Sequence, residues 1–367
     1  MRQAKICHLI DANIDTAYFR SIAANCDKSR FPIMIGSITS AGALQASMKK
    51  LQTPTFSLNI SSRKYYIQAI QRLVSLLRKE KVSIVHAHCF DPTFIGLIAA
   101  RIAGVKFVFT RHHSDHNIRL GAKWHTKIDS FCAKNADHVI AVSKVTKQIM
   151  MEIEKVPSEK ITVVYNGMEK LREPTAESIA KTRGELSNLN KTIILLIGRL
   201  HEEKGHRYLF EAIPQIKEKV GKISVLLAGD GPQKGQIEVE AKHFGVETDV
   251  HFLGKREDIP ELLSIASIAV MPSLAESFGF VALEAMYMGT PLVTSDAGGL
   301  VEVVEDGETG VIVPKANSMA IAKAVSRVLQ SPDIQIKFKE KGPKRAEIFT
   351  FERMIRGYEK VYNSLLD

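Results

Sequence analysis

Short, uninterrupted apolar runs alternate with amphipathic segments along almost the whole chain, and this limits the fold more than any other feature. In the first half the runs read KICHLIDA, FPIMIGSI, TFSLNI, SIVHAHC, KFVFTRHH, DHVIAVS and KITVVYNG. Between several of them lie amphipathic stretches such as KYYIQAIQRLVSLLRKEK and HTKIDSFCAKNA. A strand with one face in water alternates apolar and polar residues. These strands do not, so both faces of their sheet are covered, as in a parallel sheet flanked by helices. A β–α–β succession of this kind predicts an α/β fold.

The alternation breaks at about residues 168–190, where MEKLREPTAESIAKTRGELSNLNK is polar and carries Pro174 and Gly184. This stretch reads as an interdomain linker with a short helix. The pattern then restarts with TIILLIGRL, ISVLLAGDG, DVHFLGK, SIAVMPS, TPLVTSD and TGVIVPK. A chain of 367 residues is also too long for one typical core. Two Rossmann-like domains are therefore expected, residues 1–180 and 186–345. The amphipathic terminal segment, 346–367, is expected to fold back onto the first. Open α/β sheets bind ligands beyond the carboxyl ends of their strands, here across a cleft between two parallel sheets.

Composition narrows the class of protein. The chain is 45% hydrophobic and 25% charged, as soluble globular proteins are. No apolar run approaches the ~20 residues of a membrane-spanning helix. The N-terminal MRQAKICHLIDA has too short an apolar stretch for a signal peptide, so a cytoplasmic location is expected. Cys7, Cys26, Cys89 and Cys132 share no metal-like or redox spacing and read as buried small hydrophobes. Residues 1–185 hold 28 Lys and Arg against 15 Asp and Glu, a net +13, whereas the remainder holds 22 against 25, a net −3. A basic first half suits nucleic acid, an anionic membrane surface, an acidic small substrate, or simply solvent.

Three segments of the second half point to a phosphate and sugar site. GRLHEEKGH, at 198–206, places Arg199 and Lys204 five residues apart on a loop entering a helix. Two cations and free helix amides can converge there on a diphosphate. AGDGP, at 228–232, follows the next strand and permits a tight turn. In PSLAESFGFVALEAMYMGTPLVTSDAGG, at 272–299, a loop carries Glu276 and Gly279 permits an unusual turn. A helix is expected there from about Phe280 to Met288, stopped by Gly289 and Pro291. Its first amides are free donors, and the helix dipole favours an anion. A carboxylate accepts two hydrogen bonds at once, as a vicinal diol demands, so Glu284 can hold a ribose and Glu276 a sugar. Taken singly, these segments also read as a basic loop, a strand-ending turn and a charged helix surface. Glu284, set among the apolar residues of VALEAM, fits that bland reading least.

In this order GRLHEEKG, AGDGP, FLGKRED, PSLAESFGFVALEAMYMGTPLV and GGLVEVVEDGETG resemble the second domain of the family 4 retaining glycosyltransferases, over about residues 192–330. The resemblance implies the two-domain GT-B fold and transfer of a sugar from a nucleoside-diphosphate sugar, UDP favoured, to an acceptor hydroxyl. It places Arg199 and Lys204 on the donor diphosphate and Glu284 on the ribose. Glu276 would contact the transferred sugar, with Phe278, Gly279 and Phe280 near sugar and phosphate and Arg256 near the base. In the family a histidine in a T-x-H pattern contacts the donor sugar. His112 fits that pattern, and His113 competes with it.

The first half offers less. IVHAHCFDP puts His86 and His88 on one side of a strand. HHSDH resembles a binuclear-metal motif, but Arg111 stands where its first histidine belongs, and a cation there disfavours a divalent ion. No D-x-D pair appears in the second half, so no metal and no cofactor is expected. The glycine-rich loop usual after the family's first strand is replaced by DANIDTAYFR, where Asn13 or Asp15 can substitute through side chains. The stretch RHHSDHNIRLGAKWHTK, with the single tryptophan Trp124, suits a lipid-linked acceptor or peripheral contact with the inner face of a membrane, or else a solvated loop. The expected setting is cell-surface glycan or glycolipid synthesis. A nucleotide-sugar epimerase of similar fold and a basic nucleic-acid-binding protein are the alternatives, although no zinc, homeodomain or RNP-like motif supports the latter.

Overall fold

The computed structural model describes residues 3–11, 13–113 and 123–366, which divide into two compact units. Unit 1 comprises Met1–Glu169 and Phe349–Asp367, and unit 2 comprises Lys170–Ile348.

Each apolar run named above contains one strand. In unit 1 these are β1 (Lys5–Ile10), β2 (Ile33–Ser37), β3 (Thr55–Ser57), β4 (Val82–His88), β5 (Lys106–Arg111), β6 (His138–Ala141) and β7 (Ile161–Val163). They form one parallel sheet in the order β3-β2-β1-β4-β5-β6-β7. Helices α1 (Ala17–Asn25), α2 (Ala43–Lys50), α3 (Tyr66–Lys79), α4 (Phe90–Ala103), α5 (Lys123–Asn135) and α6 (Lys144–Glu152) lie between them. Successive residues of a strand face opposite sides, so the two faces can be read directly. Cys7, Leu9, Val85, Ala87, Phe107 and Phe109 enter the core on one face. Ile6, Ile84 and Val108 enter a separate core on the other. The uninterrupted apolar runs follow from this double burial.

The C-terminal helix, Phe351–Leu366, seals the second of these faces. Phe351, Met354, Ile355, Tyr358, Val361 and Tyr362 recur at steps of three and four and are all buried. Full burial of an aliphatic or phenyl side chain is worth roughly 1.5–3 kcal/mol, so this stripe is a large part of what holds the helix down. Cys89 departs from expectation. Cys7, Cys26 and Cys132 are buried, but Cys89 is exposed and caps α4 with φ +70°. The chain must turn out of β4 at that point, which lifts the side chain off both cores.

Unit 2 holds α7 (Ala176–Glu185), β8 (Thr192–Ile197), α8 (His206–Val220), β9 (Ile223–Ala228), α9 (Lys234–His243), β10 (Val250–Gly254), α10 (Ile259–Ile265), β11 (Ile268–Met271), α11 (Phe280–Tyr287), β12 (Leu292–Ser295), α12 (Leu300–Val303), β13 (Val311–Val313), α13 (Ser318–Gln330) and α14 (Pro332–Ala346). Its sheet is also parallel, in the order β10-β9-β8-β11-β12-β13. The strand order reverses between β8 and β11, which creates a switch point at their carboxyl ends. The polar stretch that reads as a linker docks onto this unit. Arg172 Nη2 donates to Glu261 Oε1 at 2.6 Å, and Thr182 Oγ1 to Asp258 Oδ2 at 3.2 Å. Among the described residues no helix is long and apolar enough to cross a membrane.

Candidate active site

The loops after β8 and β11 leave the switch point side by side, and unit 2 concentrates its candidate residues there. After β8 a single 3₁₀ turn, Glu202–Lys204, precedes Gly205, whose left-handed φ of +67° lets α8 start abruptly. A Cβ on Gly205 would sit 2.0 Å from the Pro272 carbonyl oxygen, so only glycine lets the two loops touch here. Leu274 N–H donates to the Glu203 carbonyl at 2.8 Å, which pins them together.

That contact brings Lys204 and Glu276 together. Lys204 Nζ lies 2.6 Å from Glu276 Oε2, with each side chain less than a fifth exposed. Arg199 is mostly exposed and pairs with Glu203, whose own side chain is nearly buried. Glu276 is fixed from behind as well. Its carbonyl accepts the Gly299 amide at 2.9 Å, and a Cβ on Gly298 would fall 1.7 Å from that same oxygen. The paired glycines of DAGG are the mark of this close approach, and Glu203 stands in GRLHEEKGH. Neither could be assigned a role without knowing which loops meet.

Helix α11 begins at Phe280, with Gly279 in the left-handed region at φ +112° as its cap. Gly279 has no side chain to cap the first-turn amides, which leaves them suited to an anion. Phe278 is buried and Phe280 is exposed, their rings 5.4 Å apart. Glu284, on the second turn, is half-buried between the buried Leu283 and Ala285. Burial pushes its carboxyl up to about 7, since a charge loses solvation there. Arg256 follows β10. It is bidentate to Asp258, at 2.7 and 2.6 Å, and reaches Glu185 at 3.2 Å.

Unit 1 contributes a different chemistry. His8 on β1 stands in register with His86 on β4, and His88 in register with Thr110 on β5. By strand periodicity these residues and His112 share the face covered by the C-terminal helix. His8 Nδ1 lies 3.1 Å from His88 Nε2, and His88 Nδ1 lies 3.1 Å from His112 Nε2. His86 is held separately, 2.6 Å from the Tyr362 hydroxyl and 2.7 Å from Thr110 Oγ1. Burial lowers His8 and His112 to about 3 and holds His86 and His88 well below the usual histidine range. All four are therefore neutral at pH 7. Among the described residues His8, His86 and His88 form the one grouping whose ring nitrogens lie within 4.8 Å of one another, as metal ligands would. Both His86 nitrogens already have partners, however, and its ring stacks on His88 with centroids 4.3 Å apart. That arrangement suits hydrogen bonding better than convergence on an ion.

Arg111, which breaks the metal-like motif, is buried between Asp129 and Glu154, 2.9 Å from each. It fixes the end of β5 immediately before His112. Ser114, Asp115 and His116, the rest of that motif, lie outside the described residues. Asn13 donates to the Ser40 carbonyl at 2.9 Å, and Asp15 pairs with Arg20 at 2.8 Å. Both side chains thus have local partners after the glycine-free loop.

Residues 178–345 match the sequence profile of the glycosyl transferases group 1, and residues 46–170 that of glycosyltransferase family 4. An uncharacterized glycosyltransferase of Methanocaldococcus jannaschii is 30% identical over 285 residues, covering 72% of this chain and 70% of that protein. The chain belongs to the group 1, family 4 glycosyltransferases. Another relative of this glycosyltransferase is the N-acetyl-alpha-D-glucosaminyl L-malate synthase of Bacillus anthracis, 26% identical over 82% of the chain and 80% of the relative. HepE of Anabaena, solved in complex with UDP, superposes with a TM-score of 0.84 at 21% identity, covering 98% of this chain and all of HepE. The sucrose-phosphate synthase of Thermosynechococcus elongatus gives a TM-score of 0.79, also at 21% identity, covering 100% and 99%. At those identities the likeness establishes the GT-B fold of this glycosyltransferase.

Proposed function

We propose that this glycosyltransferase takes a sugar from a nucleoside-diphosphate sugar, UDP favoured, and passes it to an acceptor hydroxyl with retention and without a metal. The observation that carries this reading is the Lys204–Glu276 pair, 2.6 Å apart at a strand-end switch point. A cation for a phosphate and a carboxylate for sugar hydroxyls sit side by side there, with the capless N-terminus of α11 a few residues on. UDP and UDP-glucose, both bound in HepE crystals, are the first ligands to try.

In this reading the bond from the sugar's anomeric carbon to the diphosphate oxygen breaks while the acceptor oxygen attacks from the same face. The acceptor's proton passes to the departing diphosphate. Arg199, Lys204 and the first amides of α11 stabilise the charge that develops on the leaving group. Glu284 takes the ribose diol, Glu276 the transferred sugar, and His112 the sugar contact implied by the family's T-x-H pattern. Arg256, held by Asp258, takes the position near the base that the resemblance implies.

The acceptor is proposed to be lipid-linked or glycan, met at the inner face of a membrane. The face of α5 supports this, because Trp124 is 75% exposed with Lys127 Nζ 5.0 Å from its ring, and Phe131 is exposed two turns along. An exposed indole flanked by lysine is a membrane-interface pairing.

Thermal shift with UDP, GDP and ADP, and with their sugars, tests the donor assignment through ligand linkage. Stabilisation by UDP compounds, lost in Arg199→Ala and Glu284→Ala, is the expected result. Equal stabilisation of the wild type and both variants would remove the site. Incubating the donor without acceptor and analysing the sugar separates transfer from epimerisation, since only an epimerase changes the sugar alone.

A further inference from the structure

We infer that His8 and His88, buried beneath the C-terminal helix, are positioning residues that select the tautomer in which His112 meets the donor sugar. The inference rests on the reading of His112 as the sugar-facing histidine. It goes beyond that reading by assigning a role to two residues with no access to substrate.

The argument is one of proton counting. A neutral imidazole carries one N–H and one bare nitrogen, so it donates at one atom and accepts at the other. His88 uses both atoms within the chain, Nε2 towards His8 Nδ1 and Nδ1 towards His112 Nε2. Only two proton patterns satisfy both contacts. In the first, His8 Nδ1–H donates to His88, and His88 Nδ1–H donates to His112 Nε2. The hydrogen of His112 then sits on Nδ1, and the ring offers a donor outward. In the second, every proton is reversed and His112 offers a bare Nδ1, an acceptor. No single ring can change without the other two, so the polarity of a group at the end of β5 is locked to that of a group on β1.

The surroundings make the coupling strict. His8 and His88 are each 1% exposed, whereas His112 is half-buried. Burial disfavours the imidazolium, which would satisfy both contacts differently by donating at both nitrogens. Tyr18 packs edge-on against both His88 and His112, with centroids 5.6 and 5.4 Å away. Phe19 meets His88 at 5.1 Å and 90°. These rings hold the imidazole planes, and the contacts then decide where the protons lie. A sugar hydroxyl can both donate and accept, but the hydroxyl that meets His112 must take the complementary role. The buried end of the chain thereby influences which sugar geometry is accepted.

The test reads tautomers directly, by two-bond ¹H–¹⁵N correlation spectra of the ¹⁵N-histidine-labelled full chain, with His112 assigned from His112→Gln. At pH 7.5 the wild type should show His112 neutral and in one tautomer. His8→Leu, which deletes the first contact, should leave His112 distributed over both. His88→Asn keeps the contact to His112 but cuts it off from His8, and should behave as His8→Leu does. Hydrogen-exchange protection of the β1 and β4 amides that matches the wild type reports that unit 1 of each variant is folded. A His112 that stays in the same single tautomer in both His8→Leu and His88→Asn overturns the inference. The reading beneath it is tested separately, by adding UDP-glucose, UDP-galactose and UDP-N-acetylglucosamine to the wild type. His112 nitrogens that respond to all three no differently from UDP overturn the sugar-facing assignment, whatever the variants show.

Discussion

Lys204 Nζ and Glu276 Oε2, 72 residues apart in the chain, are 2.6 Å apart in the fold. Each holds the other in place before a donor arrives, yet the two should act on different parts of it. Lys204→Ala removes a charge-assisted contact to phosphate and should weaken UDP binding by about tenfold or more, the scale of one such bond. Glu276→Ala should leave UDP binding within about threefold while lowering turnover about a hundredfold or more, because its proposed partner is the sugar. Calorimetry with UDP, set beside turnover of the donor, separates the two. Equal losses of UDP affinity would argue against the division of labour.

With Glu284 on the ribose, as proposed, donor binding should depend on pH. Burial raises its carboxyl to about 7 in the empty site, and a ribose diol donating to it would favour the charged form and pull it back down. Binding then releases a proton, so affinity should be full above pH 7.5 and fall by up to about tenfold per unit below pH 7. A nucleoside-diphosphate sugar is the right probe, because its diester phosphates do not titrate in this window. Glu284→Gln should bind more weakly and show no such slope. A wild-type affinity that is flat from pH 8 to 6 would dissociate Glu284 from the ribose.

Gly298 carries a steric constraint that its sequence context only hinted at. With φ at +53° and a Cβ position 1.7 Å from the Glu276 carbonyl oxygen, Gly298→Ala must displace the loop that bears Glu276. The expected cost is about 2 kcal/mol or more in urea unfolding, with loss of turnover. Gly307→Ala is the control. Its φ is +71° but nothing lies near its Cβ, so only the backbone penalty of about 1 kcal/mol remains. Equal costs at the two positions would mean that the close approach is immaterial.

The strands were legible because burial on both faces writes itself into consecutive apolar residues, and α11 because Gly279 and Gly289 bracket an apolar run. Lys204 and Glu276 stand out because their loops carry several constrained residues in a row, and Glu284 because it interrupts an apolar run on α11. The pairing of Lys204 with Glu276 was not legible, since it depends on which strand ends become neighbours, a matter of topology rather than local pattern. The pairing of Arg256 with Asp258, two residues away, was equally hidden, as Asp258 looks like any other loop acid. His8 left no mark at all. A single histidine inside KICHLI reads as an interruption until β1 and β4 are placed in register.

Arg111, Asp129 and Glu154 form a buried ion triad whose middle member can be removed. Arg111→Met should destabilise unit 1 by about 3–5 kcal/mol, the usual result of leaving buried carboxylates without their cation. The deficit should narrow as the pH falls from 7 to 5. Burial already raises Glu154 to about 7 despite the nearby guanidinium, so without Arg111 it protonates more readily still and sheds the unpaired charge. Melting temperatures of wild type and variant across that range check both statements. A deficit that is constant with pH would mean that lost packing, not stranded charge, is the cause.

The four buried histidines set an acid limit on unit 1 that unit 2 does not share to the same degree. His8, His86, His88 and His112 all have folded-state values far below the usual 6.5. The unfolded chain therefore binds protons that the folded chain refuses, and stability is complete above pH 6.5 and lost as the pH falls towards the folded values. Each histidine withdraws about 1.4 kcal/mol per pH unit once below 6. At pH 5.5 all four oppose folding, offset in part by Glu154, whose raised carboxyl favours the folded unit as the pH falls. In unit 2 His206 is similarly depressed, to about 4. Hydrogen exchange of β1 and β4 amides, corrected for the intrinsic rate, should accelerate between pH 6.5 and 5.5 well before that of β8 and β9. Replacing His8 with leucine should make the pH slope shallower without abolishing it, since the other three histidines stay buried. Parallel acceleration in both sheets would place the acid sensitivity outside this cluster.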